Sequence, residues 1–152
     1  MTTAHKATAG TVPQRTNFED GTTGHWLKGP AGENSHVVKI GNDHVLRCPL
    51  DFGPGISRRV LQQTFELSQG RSYTFSCKAR GHDLHANADL TIRFEVQDNI
   101  GSEVEFVGNG GWGTYSYSFT AGRTGDHTLA IEAEYRHNHP NQFLDFDYID
   151  VA

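Results

Sequence analysis

Four stretches of the chain alternate between apolar and mostly polar residues. Tyr73, Phe75, Cys77 and Ala79 are interleaved with Thr74, Ser76, Lys78 and Arg80, and Leu90, Ile92, Phe94 and Val96 with Thr91, Arg93, Glu95 and Gln97. Tyr115, Tyr117 and Phe119 are interleaved with Ser116, Ser118 and Thr120, and Leu129, Ile131 and Ala133 with Ala130, Glu132 and Glu134. Successive strand side chains point to opposite faces, so each stretch predicts a strand with one buried and one wet side. Shorter candidates lie at 37–40, 44–48, 60–67, 104–107 and 143–151, separated by Gly- and Asn-rich turn signals. No segment keeps a 3.6-residue apolar period long enough for a helix. Many short strands with little helix predict an all-β fold, an antiparallel β-sandwich of the jelly-roll type. Residues 1–14 are Thr/Ala-rich and aperiodic, which reads as a flexible tail or linker before a folded domain at 15–152.

The alternation also assigns faces. Cys77 shares the inward side with Phe75, and Cys48 with Leu46. Two buried thiols are expected, a disulfide between them being the alternative. Arg93 falls on the side opposite Leu90, Ile92 and Phe94. With Lys78, Arg80, Glu95, Glu132 and Glu134 it makes the outward positions charged. That strip is either a solvated face with cross-strand pairs of little energetic weight or the floor of a ligand cleft.

A chain of 152 residues suits one domain. The net charge of −5, from 13 Lys and Arg against 18 Asp and Glu, argues against a nucleic-acid partner. No run approaches the length of a membrane span, and the opening Met1-Thr2-Thr3-Ala4-His5-Lys6 lacks an apolar leader region. The close pairs His82 with His85 and His137 with His139 have no zinc-type spacing and read as solvated loop histidines. Gly108-Asn109-Gly110-Gly111 is not followed by Lys-Ser/Thr or a helix, so it reads as a hairpin loop rather than a phosphate cradle. No nucleophile elbow or Cys-His pairing is evident. The acidic pairs Glu103 with Glu105 and Glu132 with Glu134 leave a glycosidase arrangement open.

Five segments in order carry a resemblance. They are Asn17-Phe18-Glu19-Asp20-Gly21 followed by Trp26; Leu61 to Ser76; Ala88-Asp89-Leu90-Thr91-Ile92-Arg93; Trp112 before Tyr115 to Ala121; and Phe146-Asp147-Tyr148-Ile149-Asp150-Val151. Together they resemble the carbohydrate-binding modules of the galactose-binding-like jelly-roll type, families 4, 9, 16 and 22, over about residues 16–151. The resemblance implies a structural calcium ion held by Glu19 and Asp147 with backbone carbonyls, the turn containing Asn42 being a further donor. It also implies that Arg93 binds glycan on the concave sheet face, with Thr128, Glu132 and either Gln62 or Gln63 lining the same cleft; Glu95 and Gln97, which alternate to the same side as Arg93, complete the candidate site. Alternation with Phe65 and Leu67 makes Gln62 the outward one unless a bulge intervenes. Guanidinium forks donate to paired hydroxyls, and carboxylates and amides accept from them. The resemblance makes Trp26 and Trp112 structural, leaving Phe52, Tyr135 and Tyr148 as candidate sugar platforms.

The expected function is therefore a non-catalytic module that binds a polysaccharide or oligosaccharide. It would belong to a larger multidomain protein outside the cell or on its surface. The alternatives are a structural or protein-interaction module of a surface or toxin-like protein, and a jelly-roll lyase or hydrolase.

Overall fold

The computed structural model describes residues 9–84, 89–99, 101–137 and 141–152. The described residues form eleven strands in chain order: β1 (Gln14–Thr16), β2 (Leu27–Lys28), β3 (His36–Ile40), β4 (Asp43–Pro49), β5 (Arg58–Leu67), β6 (Ser72–His82), β7 (Leu90–Val96), β8 (Glu105–Phe106), β9 (Gly113–Thr120), β10 (Gly125–Tyr135) and β11 (Phe143–Val151). One sheet has the order β3-β4-β11-β6-β9, with β1 added along the second half of β11; the other has the order β2-β5-β10-β7-β8. All named strand pairs are antiparallel, and the sheets face each other as a β-sandwich jelly roll.

Alternation builds the core. Phe75, Cys77 and Ala79 from β6, Phe94 and Ile92 from β7, Leu129 and Ile131 from β10, and Leu144 and Phe146 from β11 are all buried between the sheets. Trp26, from the loop before β2, stacks on Phe75 at 5.7 Å and 14°, and Phe75 meets Phe94 edge-on at 4.7 Å. Each of the Leu, Ile and Phe side chains contributes about 1.5–3 kcal/mol through burial. Cys48 and Cys77 are free buried thiols.

The structure corrects several expectations. Trp112 is not core but 42% exposed. Tyr117 is only half-buried, because β9 is the sheet's edge strand. The glycine loop 108–111 is not a hairpin: it crosses from β8 in one sheet to β9 in the other, bonding twice to Gly81 on the way. Pairing also begins inside the stretch read as a tail. Gly10 donates to the Thr64 carbonyl and accepts from the Glu66 N–H, and Gln14 opens β1. Residues 1–8, His85 and His139 lie outside the described residues. His82 stands 3.4 Å from Asp83, and His137 is 2.8 Å from Asp89.

One irregularity shapes the five-stranded sheet. Ile131 pairs with Leu61 but Glu132 pairs with Arg59, so Val60 is an extra residue in β5. Both Val60 and Leu61 are therefore buried, and Arg59 turns outward beside Glu132. The bulge is backed by Gly29 and Gly32, flanking and ending the 3-10 turn Pro30–Gly32. A Cβ on Gly29 would lie 2.4 Å from the Arg59 carbonyl oxygen, and one on Gly32 would lie 2.2 Å from that of Val60. Gly29 N–H also donates to the Val60 carbonyl at 2.8 Å. Only glycine admits so close a backbone approach.

Candidate functional site

The outer face of the five-stranded sheet carries a cavity of about 660 Å³ bordered by Arg59, Arg93, Glu95, Gln97, Thr128 and Glu132, with Asp98 and Asn99 at its rim. Register explains the convergence: Arg93 pairs with Glu132 and Glu95 with Ala130, while Gln97 N–H donates to the Thr128 carbonyl. Of the residues singled out from sequence, Arg93, Glu95, Gln97, Thr128 and Glu132 line this cavity. Gln62 stands one strand away, opposite Ala130, with its amide reaching Arg59. Gln63 points inward and is 6% exposed.

These side chains are not equally available. Arg59 makes a two-pronged bond to the Glu95 carboxylate, Nε to Oε2 at 2.9 Å and Nη2 to Oε1, and a third bond to Gln62 Oε1 at 3.0 Å. The Glu95 contact holds the Arg59 guanidinium above its ordinary pKa. Glu95 and Gln62 are thus already occupied by a protein donor. Gln97 Oε1 accepts from the Thr128 N–H at 2.9 Å, and the Thr128 and Thr64 hydroxyls are 3.4 Å apart.

Arg93 differs. Its Nε stands 3.8 Å from Glu132 Oε2, an ionic separation too long for a hydrogen bond. That Nε is shielded from solvent and has no hydrogen-bond partner among the described residues. A shielded, unsatisfied donor on a charged group costs free energy, while the Arg93 side chain as a whole is 43% exposed at the cavity. Gly101, at φ +82°, packs beside the same guanidinium, where a Cβ would stand 3.5 Å from Nη2.

Among the described residues no aromatic borders this cavity. Tyr135 is fully buried, Phe52 packs edge-on against it at 5.0 Å, and Tyr148 lies on the other sheet. The exposed ring on the cleft's own face is Phe106, 54% exposed, which pairs across β8 with Thr91. Thr91 and Arg93 share a face of β7, so Phe106 is a diagonal neighbour of Arg93, within reach of one ligand. Sequence reading missed both Arg59 and Phe106. Arg59 depended on the Val60 bulge, and the two residues of β8 are too few for alternation to assign a side.

At one end of the six-stranded sheet lie the residues implied for a cation. Asp147 is 5% exposed and accepts from the Tyr148 N–H at 2.9 Å. Burial raises its carboxyl pKa, and the charges of Asp43 and Glu19 raise it further. Glu19 accepts from the His44 N–H at 3.1 Å and contacts His44 Nδ1 at 2.9 Å, which lowers its own pKa. Asn42 is exposed in the β3–β4 turn; its neighbour Asp43, the first residue of β4, is the one whose charge reaches Asp147. Phe18 and Tyr148, adjacent to Glu19 and Asp147, both adopt positive φ, +61° and +47°. Bulky residues hold that conformation only where the surroundings impose it. Among the described residues no three His, Cys, Asp or Glu side chains already converge at metal-ligand spacing.

Comparison with known proteins supplies the family. The family model described as a carbohydrate binding domain, covering modules of families 4 and 9, matches residues 14–140. Among solved structures, the family 61 module TmCBM61, determined with β-1,4-galactotriose, is similar with a TM-score of 0.63 at 20% identity, covering 90% of this chain and 93% of that one. The CBM22-1 xylan-binding domain of Paenibacillus barcinonensis Xyn10C is similar with a TM-score of 0.62 at 16% identity, covering 95% and 96%. The C-terminal domain of the sugar-binding protein EclA is similar with a TM-score of 0.58 at 19% identity, covering 90% and 96%. No curated protein sequence matches the chain.

Proposed function

This chain belongs to the carbohydrate binding domain family, and we propose that it holds a neutral glycan in the cleft around Arg93 on the concave face of the five-stranded sheet. The observation that supports this is the 43% exposed Arg93 side chain, which makes no hydrogen bond among the described residues, at the wall of a cavity bordered by hydroxyl, amide and carboxylate groups. Arg93 donates to paired sugar hydroxyls, and Glu132, Gln97 and Thr128 accept from or donate to others. Glu95 and Gln62 act at one remove, fixing Arg59. Phe106 offers an apolar face to the sugar's C–H groups. Arg59, Arg93 and, through its bond to Asp98, Arg123 balance the carboxylates Glu95, Glu132 and Asp98, so the cleft has no net charge to attract an acidic ligand. Binding is by direct hydrogen bonding on a preformed sheet, without turnover, and its affinity is modest. In this reading the module works outside the cell, as part of a larger protein that it holds on a glycan surface.

Titration calorimetry against a panel of neutral β-linked oligosaccharides tests the reading. Arg93→Ala should weaken the best ligand at least tenfold while melting like the parent. Undiminished binding by that variant moves the site elsewhere, and sugar release from any polysaccharide overturns the non-catalytic assignment.

A structural calcium ion is the second part of the proposal. Glu19, Asp43 and Asp147, from three separate segments, would hold it with neighbouring carbonyls, and its charge would offset their mutual repulsion. The raised Asp147 carboxyl and the strained backbone beside it fit such a group. Melting with calcium and with EDTA should differ; equal midpoints count against the ion.

A further inference from the structure

The outer face of the six-stranded sheet, opposite the cleft, carries a second ordered arrangement. Register sets Arg47 of β4, Asp145 of β11 and Arg80 of β6 in one row, and Trp112, immediately before β9, continues it. Asp145 alternates with the inward Leu144 and Phe146, so it points away from the core; it is nevertheless fully buried, because the two guanidiniums close over it. Arg47 donates to Oδ1 and Oδ2 at 2.9 and 3.0 Å, and Arg80 Nε donates to Oδ2 at 3.1 Å. Each guanidinium lies over a ring: Arg47 over Phe143 at 4.9 Å and Arg80 over Trp112 at 4.7 Å. The glycine loop 108–111 turns Trp112 onto this face, with 42% of its surface left exposed.

Two features of the row point to a ligand. Two cations share one carboxylate, so the row carries an uncompensated positive charge although the whole chain is negative. Arg80 spends only Nε on Asp145, and its two Nη groups make no hydrogen bond among the described residues. Asp145 and Trp112 fix the plane of that guanidinium in advance, which lowers the ordering cost of binding. A planar fork of charged N–H donors matches a carboxylate, and an exposed indole beside it matches the C–H face of a pyranose.

We infer that this row is a second glycan-binding site, selective for uronate-bearing oligosaccharides, with the sugar ring on Trp112 and its carboxylate on Arg80 next to Arg47. It is independent of the cleft, which lies on the other sheet and whose guanidiniums and carboxylates balance. The two outer faces of the sandwich thereby sort neutral from acidic sugars.

Tetragalacturonate is the probe, read by calorimetry and by the fluorescence of Trp112. The parent protein should bind it saturably and more weakly as NaCl rises. Trp112→Ala should weaken binding at least tenfold, and Arg80→Lys, which keeps the charge but loses the fork, about as much; Arg93→Ala should leave it unchanged. Trp112 is exposed and Arg80→Lys is conservative, so both variants should melt near the parent. The inference is overturned if the parent shows no saturable binding, if the carboxyl-reduced tetrasaccharide binds equally, or if a sulfated galactan binds equally. It is also overturned if Arg93→Ala, and not Trp112→Ala, removes binding.

Discussion

Asp145→Asn removes the charge on which two guanidiniums converge while keeping side-chain volume. In the native protein Asp145 accepts three charge-assisted hydrogen bonds and is fully buried; the two arginine side chains are 23% and 18% exposed. The amide can accept at Oδ1 but turns an NH₂ toward at least one guanidinium N–H, where neither group can accept. Deleting one partner of a buried ion pair costs about 3–5 kcal/mol, and retention of Oδ1 puts the expected loss at the lower end, about 3 kcal/mol. For a domain of this length that lowers the melting midpoint by roughly 6–12 °C. The diagnostic comparison is the triple variant Arg47→Met, Asp145→Leu, Arg80→Met. Apolar replacement of an entire buried ionic group is often neutral or stabilising, so the triple should recover most of what the single loses. Urea unfolding monitored by circular dichroism and by Trp fluorescence measures both, with coincident transitions as the check on two-state behaviour. A single-variant loss under about 1 kcal/mol, or a triple no more stable than the single, would refute the account of this row as a desolvated ionic unit.

Gly32→Ala drives a Cβ to 2.2 Å from the Val60 carbonyl, so the bulge must shift; a loss of about 1–3 kcal/mol is expected by urea unfolding, and a loss below about 0.5 would disprove the contact. The Asp147 carboxyl is raised in the folded state, so its stabilising, protonated form is fully present at low pH. Stability declines as pH rises from the ordinary carboxylate range through the raised value. Without calcium, Asp147→Asn should therefore melt no lower than the parent at neutral pH, and its midpoint should no longer respond to calcium; a retained calcium response places the ion elsewhere. Burial pushes the Cys48 thiol up to about 12 and Cys77 higher still, so a disulfide-exchange reagent at pH 8 should titrate no thiol in the native protein and both after unfolding. Prompt labelling of the native protein would contradict that burial.

Strand identity was legible because one face of each long strand is buried. Alternation alone put Phe75, Cys77, Phe94 and Ile131 inside and Arg93 outside, and counting back from Phe65 put Gln62 outward. The same counting fails one step beyond Leu61. It sends Arg59 inward, since nothing in Arg58-Arg59-Val60-Leu61 shows that Val60 is the extra residue. The cause is a backbone approach by Gly29 and Gly32, some thirty residues earlier. Phe106 and Trp112 were illegible for a related reason. Both sit at sheet edges, where a side chain's environment depends on what the neighbouring connection covers and not on its own alternation. Tyr148 interrupts β11 in a left-handed conformation, so the parity read from Phe146 does not carry through to Asp150.

Gln14 and Val151 are register partners, and β1 adds only three residue pairs to β11. Tension applied across these two positions would pull an antiparallel pair apart from its open end, breaking hydrogen bonds one after another rather than all together. A load entering outside that pair meets the bonds of Gly10 to β5 and the paired bonds between Thr74 and Ala152 first. Strands β7 and β10, which carry Arg93 and Glu132, lie off that load path. Under such a load the seam therefore peels first, and the strands that carry Arg93 and Glu132 stay in place.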